Sequence, residues 1–380
     1  MPDVSSDLIV FGEDWGGLPS STQHLMAHIA RERKILWVNS IGLRKPRLNA
    51  TDARRALTKL LSRPAERRTG TADTAPNFTV INPKTLPAPS NGLERLLARK
   101  LLCRQLLPAI KAARLQRPIL WISLPTAADL VGELGEIATV YYCGDDFSAL
   151  AGVDHVTVAA REKELNQKAN LVLAASEVLA TRFPKAKTRL LTHGVDYELF
   201  STPHDRAPDL PQNGKPIAGF YGSLSEWLDI ELLVATIQRM PHWNFVFIGS
   251  PSVDVSSLAS LENVSLLGPR PHAELPGYSQ HWDASLLPFR DNAQIRACNP
   301  LKLSEYLAAG KPIVSTPFPA LKPYLSLIST ARSVDEMVAA IDRCHPSPTA
   351  GKTIQLQRTA VAQHSWQARA EQVNRWLEAL

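Results

Sequence analysis

The stretch NPLKLSEYLAAGKPIVST, residues 299–316, predicts a short helix that runs into a buried strand. We expect Asn299 to cap this helix and Pro300 to be its first residue, because these residue types favour those two positions. Gly310 follows the helical pattern, and glycine commonly ends a helix in the left-handed conformation. A helix followed so closely by an apolar strand is typical of sheets with parallel strands.

Two charged side chains, Lys302 and Glu305, lie one turn apart on that helix. A cation in the first turn opposes the helix dipole, so Lys302 suggests a nearby anion. The free N–H groups at a helix N-terminus suit a phosphate, and Glu305 could accept hydrogen bonds from two sugar hydroxyls. The alternative interpretation is a simple ion pair between the two side chains on an exposed face.

Short, continuous apolar runs recur along the chain without alternating with polar residues. Such runs predict strands that are buried on both faces, as in a parallel sheet. Helical patterns lie between them, for example at 22–33, 156–170 and 230–240, and this alternation predicts a doubly wound α/β fold. The predicted strands lie at 7–12, 34–39, 78–82, 119–123, 139–143, 171–176 and 189–194, and then at 217–222, 244–249, 264–268, 284–289 and 312–316.

A proline-rich polar stretch without periodicity, residues 201–216, separates the two groups of strands. We interpret it as a linker between a first domain at 1–200 and a second domain at 217–355. Residues 356–380 predict an amphipathic C-terminal helix that packs back on the first domain.

The chain has 380 residues, of which 44% are hydrophobic and 21% are charged. This composition is ordinary for a globular protein, and the length suggests two domains. The four cysteines form no CxxC pair, which argues against a metal site or a disulfide framework and favours the reducing cytoplasm. No run of about 20 apolar residues is present, so no membrane-spanning segment is expected.

The net charge of +6 is spread unevenly, with a basic segment at 44–68 and a leucine-rich basic helical pattern at 92–116. One interpretation is a helix that faces the core and has a solvated basic face. The other is a face that rests on anionic lipid headgroups, which would make the protein a peripheral protein at the inner face of the plasma membrane. Nucleic acid is disfavoured as a partner, because no aromatic residues are interleaved with these basic residues.

Glycines, hydroxyls and basic residues follow the predicted strands of the second domain. Ligands of open α/β sheets bind beyond the carboxyl ends of the strands, so we expect these residues to gather at one edge. Tight turns alone would explain each glycine singly, whereas a nucleoside diphosphate linked to a sugar would use the whole set. The set comprises Gly222, Ser223, Gly249, Arg270, Arg290 and Arg296, with Asn299, Pro300 and Leu301 at the start of the helix.

In the first domain, Gly16 and Gly17 follow the first strand and permit close approach of a ligand to the backbone. Asp145 and Asp146 follow another strand end and are expected to point toward the same crevice. Either carboxylate could orient acceptor hydroxyls, and a capping role is equally compatible with the sequence. This domain has no GxGxxG motif, so a nicotinamide site is poorly supported.

Several stretches together resemble a known family. They are GFYGSLSEWLD, LGPRP, NPLKLSEYLAAGKPIVST, HGVD and HSW, and they are similar to the GT-B glycosyltransferases of the large retaining family four, the glycosyl transferases group 1. The similarity is greatest to the bacterial subgroup that acts in exopolysaccharide and teichuronic-type polymer assembly. The resemblance covers most of the second domain and patches of the first, and it implies two Rossmann-like domains that face a central cleft.

The resemblance also implies roles for particular residues. A nucleotide sugar would bind mainly in the second domain, with Glu305 on the ribose and the backbone around Arg270 on the base. Gly222 and Ser223 would approach the diphosphate. No metal or other cofactor is expected, because in this family basic side chains and helix N-termini stabilise the leaving diphosphate.

By the same resemblance the acceptor would bind in the first domain, near Gly16 and Gly17. We assign Asp146 to acceptor binding with these glycines, and Asp145 to the catalytic residues.

The sequence departs from the family pattern at two places. The family commonly has a second glutamate where this chain has Ala297. It also commonly has Arg and Lys in the stretch that is SEWL here, residues 225–228. Arg290, Arg296 and Lys302 are our candidates to replace the lost positive charge, and Arg290 and Lys302 are assigned to catalysis.

The predicted function is transfer of a hexose, with retention of anomeric configuration, from a UDP- or GDP-type nucleotide sugar to a hydroxyl. The acceptor would be a lipid-linked glycan or oligosaccharide in cell-surface polysaccharide biosynthesis. The alternatives are a nucleotide-sugar epimerase, a non-catalytic sugar-nucleotide or glycan-binding partner of a polysaccharide assembly complex, and a nicotinamide-dependent oxidoreductase.

Overall fold

The computed structural model describes residues 6–17, 20–41, 77–86, 89–148, 154–346 and 350–380. The basic segment predicted at 44–68 lies outside the described residues. The chain divides into two compact units: Met1–Thr192 with Arg369–Leu380 form the first unit, and His193–Ala368 form the second.

The first unit is built on a parallel sheet of seven described strands in the order β3-β2-β1-β4-β5-β6-β7. Every residue of the five inner strands is buried, whereas the edge strands β3 and β7 are partly exposed. The strands are β1 (Leu8–Phe11), β2 (Ile35–Val38), β3 (Phe78–Ile81), β4 (Ile119–Ile122), β5 (Ala138–Cys143), β6 (Leu171–Ala174) and β7 (Thr188–Leu190). The helices described between them are α1 (Ser21–Ile29), α2 (Gly92–Ala112), α3 (His155–Lys168) and α4 (Glu177–Ala180).

The second unit is built on a parallel sheet of six described strands in the order β10-β9-β8-β11-β12-β13. The strands are β8 (Ile217–Tyr221), β9 (Asn244–Ile248), β10 (Val264–Gly268), β11 (Ala284–Leu287), β12 (Ile313–Ser315) and β13 (Ser329–Thr330). Its helices are α5 (Tyr197–Ser201), α6 (Ile230–Gln238), α7 (Ser256–Ala259), α8 (Pro276–Ser279), α9 (Ala293–Ala297), α10 (Leu301–Ala309), α11 (Val334–Asp342) and α12 (Ala350–Val361). The sequence did not predict β13, because two residues are too few to produce an apolar run.

Both sheets confirm the predicted α/β fold class of doubly wound, Rossmann-like domains. In each sheet the chain starts at a central strand, moves to one edge and then returns to the other side. This reversal separates β1 from β4 in the first unit and β8 from β11 in the second. Ligands of such sheets bind outside the carboxyl ends of the strands at the reversal, so the residues that follow β1, β8 and β11 come first in a search for a site.

The C-terminal segment forms α12 and a last helix, α13 (Trp366–Glu378). Residues of α13 from Arg369 onward belong to the first unit, where the buried Arg33 guanidinium donates to Asn374 Oδ1 at 2.9 Å. The chain passes between the units at Thr192–His193 and again at Ala368–Arg369. The stretch predicted as a linker, 201–216, lies within the second unit, where its backbone is held by bonds such as Ala207 N–H to Gly277 O at 2.9 Å.

Candidate functional site

Helix α10 carries the two charged residues that the sequence singled out. It begins at Leu301, and the residue before it, Pro300, has an extended backbone with φ −72° and ψ 128°. The prediction that Asn299 caps the helix and Pro300 opens it was therefore wrong by one residue, since the extended Pro300 itself occupies the cap position. The predicted stop is confirmed: Gly310 has φ 77°, and its N–H donates to Tyr306 O at 3.0 Å.

Glu305 lies on α10 with only 8% of its surface exposed. The hydroxyl of Tyr221, the last residue of β8, donates to Glu305 Oε2 at 2.8 Å. His272, in the turn after β10, lies with Nε2 at 2.8 Å from Glu305 Oε1. This burial excludes the alternative of an ion pair on an exposed face. A buried carboxylate held from both sides is instead a fixed acceptor for further hydrogen bonds.

The electrostatics of this cluster follow from its contacts. The hydrogen bond to Glu305 raises the pKa of His272, against the opposing effect of burial. Burial, followed by the charge of Glu305, raises the pKa of Tyr221 well above its usual value, so its hydroxyl stays a donor. Sequence reasoning missed both partners, although His272 follows directly on the LGPRP turn that it did single out.

Lys302 extends along the end of β8. A Cβ placed on Gly222 would lie 2.8 Å from Lys302 Cε and 3.1 Å from Nζ. The ammonium also lies 5.5 Å from the ring centroid of Phe220 and 5.8 Å from that of Phe289, which is within the range of cation–π attraction. Burial lowers the pKa of Lys302, and the charge of Glu305 opposes this shift. The cation is thus at the sheet edge where the sequence predicted a diphosphate.

The ends of β8, β9 and β10 are tied together through their backbones. Gly222 N–H donates to Ile248 O at 2.8 Å, and Gly249 N–H donates to Gly268 O at 2.9 Å. Gly222 and Gly249 have φ of 129° and 143°, a region that favours glycine. Ser223 follows on the exposed side of the same turn. Among the predicted donor-binding residues, Gly222 and Gly249 lie together in these turns. Lys302, at the start of α10, packs against Gly222.

The arginines of the predicted site are engaged by other parts of the protein. Arg270 donates to Leu267 O at 2.6 Å, to the Tyr278 hydroxyl at 3.0 Å and to Asp209 at 2.7 Å. Its guanidinium is thus held by its own turn, by α8 and by Asp209, and the backbone role predicted for this residue stays a prediction.

Arg290 and Arg296 were expected to help Lys302 replace the missing charge. Arg290 donates to Leu228 O at 3.1 Å and lies 3.7 Å from Glu231, while Arg296 forms a two-pronged pair with Asp291 at 2.6 and 2.9 Å. Both arginines are therefore matched with acids near the surface, whereas Lys302 lies against the glycine turn.

In the first unit, the predicted carboxylates have different surroundings. Asp146 is buried, and its carboxylate accepts bonds from Arg182 and from Ser148, whose Oγ lies at 2.5 Å. Burial alone would raise the pKa of Asp146, but the bonds to Arg182 and Ser148 outweigh it and lower the pKa. Asp146 therefore already has structural partners, and the acceptor role predicted for it competes with them.

Asp145 is exposed at the surface of the first unit, although its carboxylate lies near protein atoms and the carboxylates of Glu13 and Asp146. Burial, followed by the charges of Glu13 and Asp146, raises its pKa to about 6. Glu13, which sequence reasoning missed, follows β1 and accepts a bond from Ser20 Oγ at 2.9 Å. In the same loop Gly16 has φ 77°, and Gly17 N–H donates to Asp14 O at 3.0 Å. The loop after β1 and the turn after β5 therefore lie close enough for Glu13 and Asp145 to interact electrostatically, while the acceptor role of Gly16 and Gly17 stays a prediction.

A match to a family of known proteins covers part of this region. Residues 227–375, which include α10 and its surroundings, match the family described as "Glycosyl transferase-like". TuaH of Bacillus subtilis (strain 168), named as a teichuronic acid biosynthesis glycosyltransferase, is 30% identical over 246 residues, which are 58% of this chain. The matched residues span 61% of the length of that relative.

Solved structures with a similar fold cover nearly all of the chain. HepE from Anabaena in complex with UDP-glucose superimposes with a TM-score of 0.67 at 16% identity, over 98% of this chain and 100% of the other. Sucrose-phosphate synthase from Thermosynechococcus elongatus gives 0.69 at 17% identity, over 98% of each chain. The predicted GT-B fold, with two Rossmann-like parallel-sheet domains, is thereby confirmed.

Proposed function

We propose that this protein is a glycosyltransferase that moves a hexose from a UDP-sugar to a hydroxyl of a glycan acceptor. The observation that carries the proposal is the buried Glu305 beside Lys302, at the carboxyl end of β8. The glycosyl transferase-like match spans this region, and HepE, which has a similar fold, binds UDP-glucose. The finer assignment, to retaining family four and to cell-surface polysaccharide biosynthesis with a lipid-linked acceptor, is part of the same proposal.

The donor would be held by three kinds of group. Glu305 would accept hydrogen bonds from the ribose hydroxyls. The N-terminus of α10, which begins at Leu301 after Asn299 and Pro300, would direct its first N–H groups and the positive end of its dipole toward the diphosphate. Lys302 would add a formal positive charge at the same place, and the turns at Gly222 and Gly249 would let the diphosphate approach the backbone.

Catalysis would rest on positioning and on stabilising the leaving diphosphate as negative charge develops on it. Lys302 and the helix N-terminus would supply that stabilisation, so we propose that no metal ion is needed. Asp145, with its pKa raised to about 6, would orient or accept the proton of the acceptor hydroxyl above that pH. The anomeric configuration of the product, measured by NMR, tests retention.

Replacing Glu305 with Gln tests the donor site. This change keeps the size of the side chain but removes the charge that strengthens its hydrogen bonds, so we expect the dissociation constant of UDP-glucose to rise about tenfold or more. Isothermal titration calorimetry measures the change, with and without EDTA. The matched control is Glu262→Gln, an exposed glutamate before β10, which should bind like the wild type. Equal affinities for Glu305→Gln and wild type would contradict the proposed site.

A non-catalytic nucleotide-sugar-binding role is the second candidate. Its support is Ala297 in α9, which is 1% exposed. The family that the sequence resembles commonly has a glutamate at this position, so this chain lacks that carboxylate. Incubation with labelled UDP-sugars and a lipid extract separates the candidates. Label in an extractable glycan supports transfer, an epimerised donor supports an epimerase, and an unchanged donor supports the binding role.

We also propose that the protein works in the cytoplasm, against the inner face of the plasma membrane. No helix within the described part of the chain is long and apolar enough to cross a membrane. The proposal rests instead on the outer face of α2, where exposed leucines alternate with basic side chains. A surface of this kind suits the headgroup region of an anionic bilayer.

A further inference from the structure

His272 is the one described side chain that hydrogen-bonds Glu305 from the turn after β10. Its Nε2 lies 2.8 Å from Glu305 Oε1, and its ring meets the edge of Phe200 in α5 with 5.3 Å between centroids. The side chain is 30% exposed, so it reaches the surface of the unit. His272 thus links the turn after β10 to α10 through a residue of the proposed site.

The carboxylate of Glu305 is held by both of its oxygens. His272 engages Oε1 and the Tyr221 hydroxyl donates to Oε2, both at 2.8 Å. A carboxylate has about four lone-pair positions, and the bonds from the described residues use two of them. Because a donor stands on each side, the carboxylate cannot rotate without breaking one of these bonds, and the direction of its remaining lone pairs is fixed.

We propose that His272 is a positioning residue for the nucleotide end of the donor. It holds Glu305 so that the free lone pairs of the carboxylate meet two neighbouring ribose hydroxyls, and its positive charge offsets the carboxylate beside the anionic diphosphate. This inference rests on the proposed function, because it assumes that Glu305 binds the ribose.

Because of the charges around His272, the affinity for the donor should depend on pH. Glu305 on α10 and Asp196 at the start of α5 both attract a proton to the imidazole, and the bond to Glu305 raises its pKa. Below that pKa the imidazolium and the Lys302 ammonium balance the two carboxylates. Above it the cluster carries one net negative charge, which repels an anionic donor. Affinity for the donor should therefore fall as the pH rises through the pKa of His272.

The test compares two substitutions of His272 by titration with UDP-glucose, whose charge is constant between about pH 6 and 8.5, around the range where histidine titrates. His272→Leu removes the donor to Oε1, and we expect the dissociation constant to rise about tenfold. His272→Gln keeps an N–H donor but cannot take up a proton. We expect it to bind within about threefold of the wild type at high pH, with no loss of affinity across the range.

His242→Leu is the matched control, because His242 Nε2 makes a similar bond to Asp342 at 2.9 Å on the exposed surface of the same unit. This variant should keep both the wild-type affinity and its pH profile. Circular dichroism checks the folding of each variant, and His272→Gln alone suffices for the pH test if His272→Leu does not fold.

The possible failures are distinguishable. If Glu305→Gln binds UDP-glucose like the wild type, the proposed donor site is wrong. If Glu305→Gln weakens binding but His272→Leu does not, or if His272→Gln keeps the wild-type pH profile, the donor site stands and the positioning role of His272 is overturned.

Discussion

At the scale of single residues, the turn after β9 leaves no room for a side chain at Gly249. A Cβ on Gly249 would lie 2.0 Å from Gly222 O, and the φ of Gly249 is 143°. The opposing atom is backbone and belongs to another strand end, so it cannot move aside as a flexible side chain would.

We therefore expect Gly249→Ala to lower the free energy of unfolding by about 2 kcal/mol or more. Gly351 in α12 is the control, because a Cβ there would meet no atom of the described residues within 4 Å. Gly351→Ala should leave stability unchanged or raise it by about 0.5 kcal/mol, since alanine favours helix. Urea unfolding followed by circular dichroism measures both, and equal midpoints for the two variants would contradict this explanation.

The local sequence predicted some site residues and not others. Lys302 and Glu305 were found because both charges lie within one helical turn of a recognisable helix start. The partners of Glu305 were not, since His272 is 33 positions away and Tyr221 is 84 positions away, and only the sheet brings them together. Contacts of that separation depend on strand order, which a pattern of apolar runs does not specify.

At the scale of elements, α2 differs from the predicted helix at 92–116 in how it uses its leucines. It ends at Ala112 and buries one narrow stripe, Ala98, Leu102 and Leu106. The helix covers one side of the unit, so its remaining leucines face outward; Leu93 is 78% exposed and Leu97 is 48% exposed. The number of leucines alone could not predict which of them are buried, because leucines lie on several sides of the helix.

The basic side chains of α2 also fall into two groups, one paired with acidic residues and one on the outer face. Arg95 pairs with Asp129 and Glu164, and Arg99 pairs with Glu133 at 2.7 Å. The outer face instead carries Lys100, Arg104 and Lys111 among Leu93, Leu97 and Leu107, all of them exposed. These basic residues, which are distinct from Arg95 and Arg99, give the outer face an excess of positive charge, so its chemistry favours an anionic partner.

We expect Leu97→Glu to weaken binding to vesicles that contain phosphatidylglycerol by about tenfold, because it removes apolar contact and adds a repelled charge. Leu356→Glu is the control, since Leu356 is 50% exposed on α12 in the second unit. Co-sedimentation with vesicles that contain phosphatidylglycerol measures the binding of both variants, and vesicles of phosphatidylcholine alone give the reference. Wild-type binding that is absent, or that is indifferent to anionic lipid, would remove the membrane proposal.

At the scale of the whole molecule, Arg33 joins two distant parts of the chain within the first unit. Its guanidinium donates to Asn374 Oδ1 at 2.9 Å and to Ser6 O at 2.6 Å, and the side chain is almost fully buried. The sequence indicated a C-terminal helix but not where the chain passes between the units, because a proline-rich composition marks turns and not the point where packing partners change.

We expect Arg33→Ala to destabilise the first unit by about 3 kcal/mol, since it leaves buried hydrogen-bonding groups without partners. Arg31→Ala is the control, because Arg31 is exposed two positions earlier in the same turn. Hydrogen exchange should show faster exchange in residues 369–380 for Arg33→Ala, and wild-type rates for Arg31→Ala. Protection of that segment in both variants would contradict the role given to Arg33.

The discontinuous first unit has a consequence for biosynthesis. Its opening strands leave the ribosome long before residues 369–380, whereas the second unit is one uninterrupted stretch. During translation the second unit can therefore reach its native state while the first unit still lacks residues 369–380. A premature stop codon at position 369 would spare the proposed nucleotide-binding unit and leave the first unit without residues 369–380 and exposed to proteolysis.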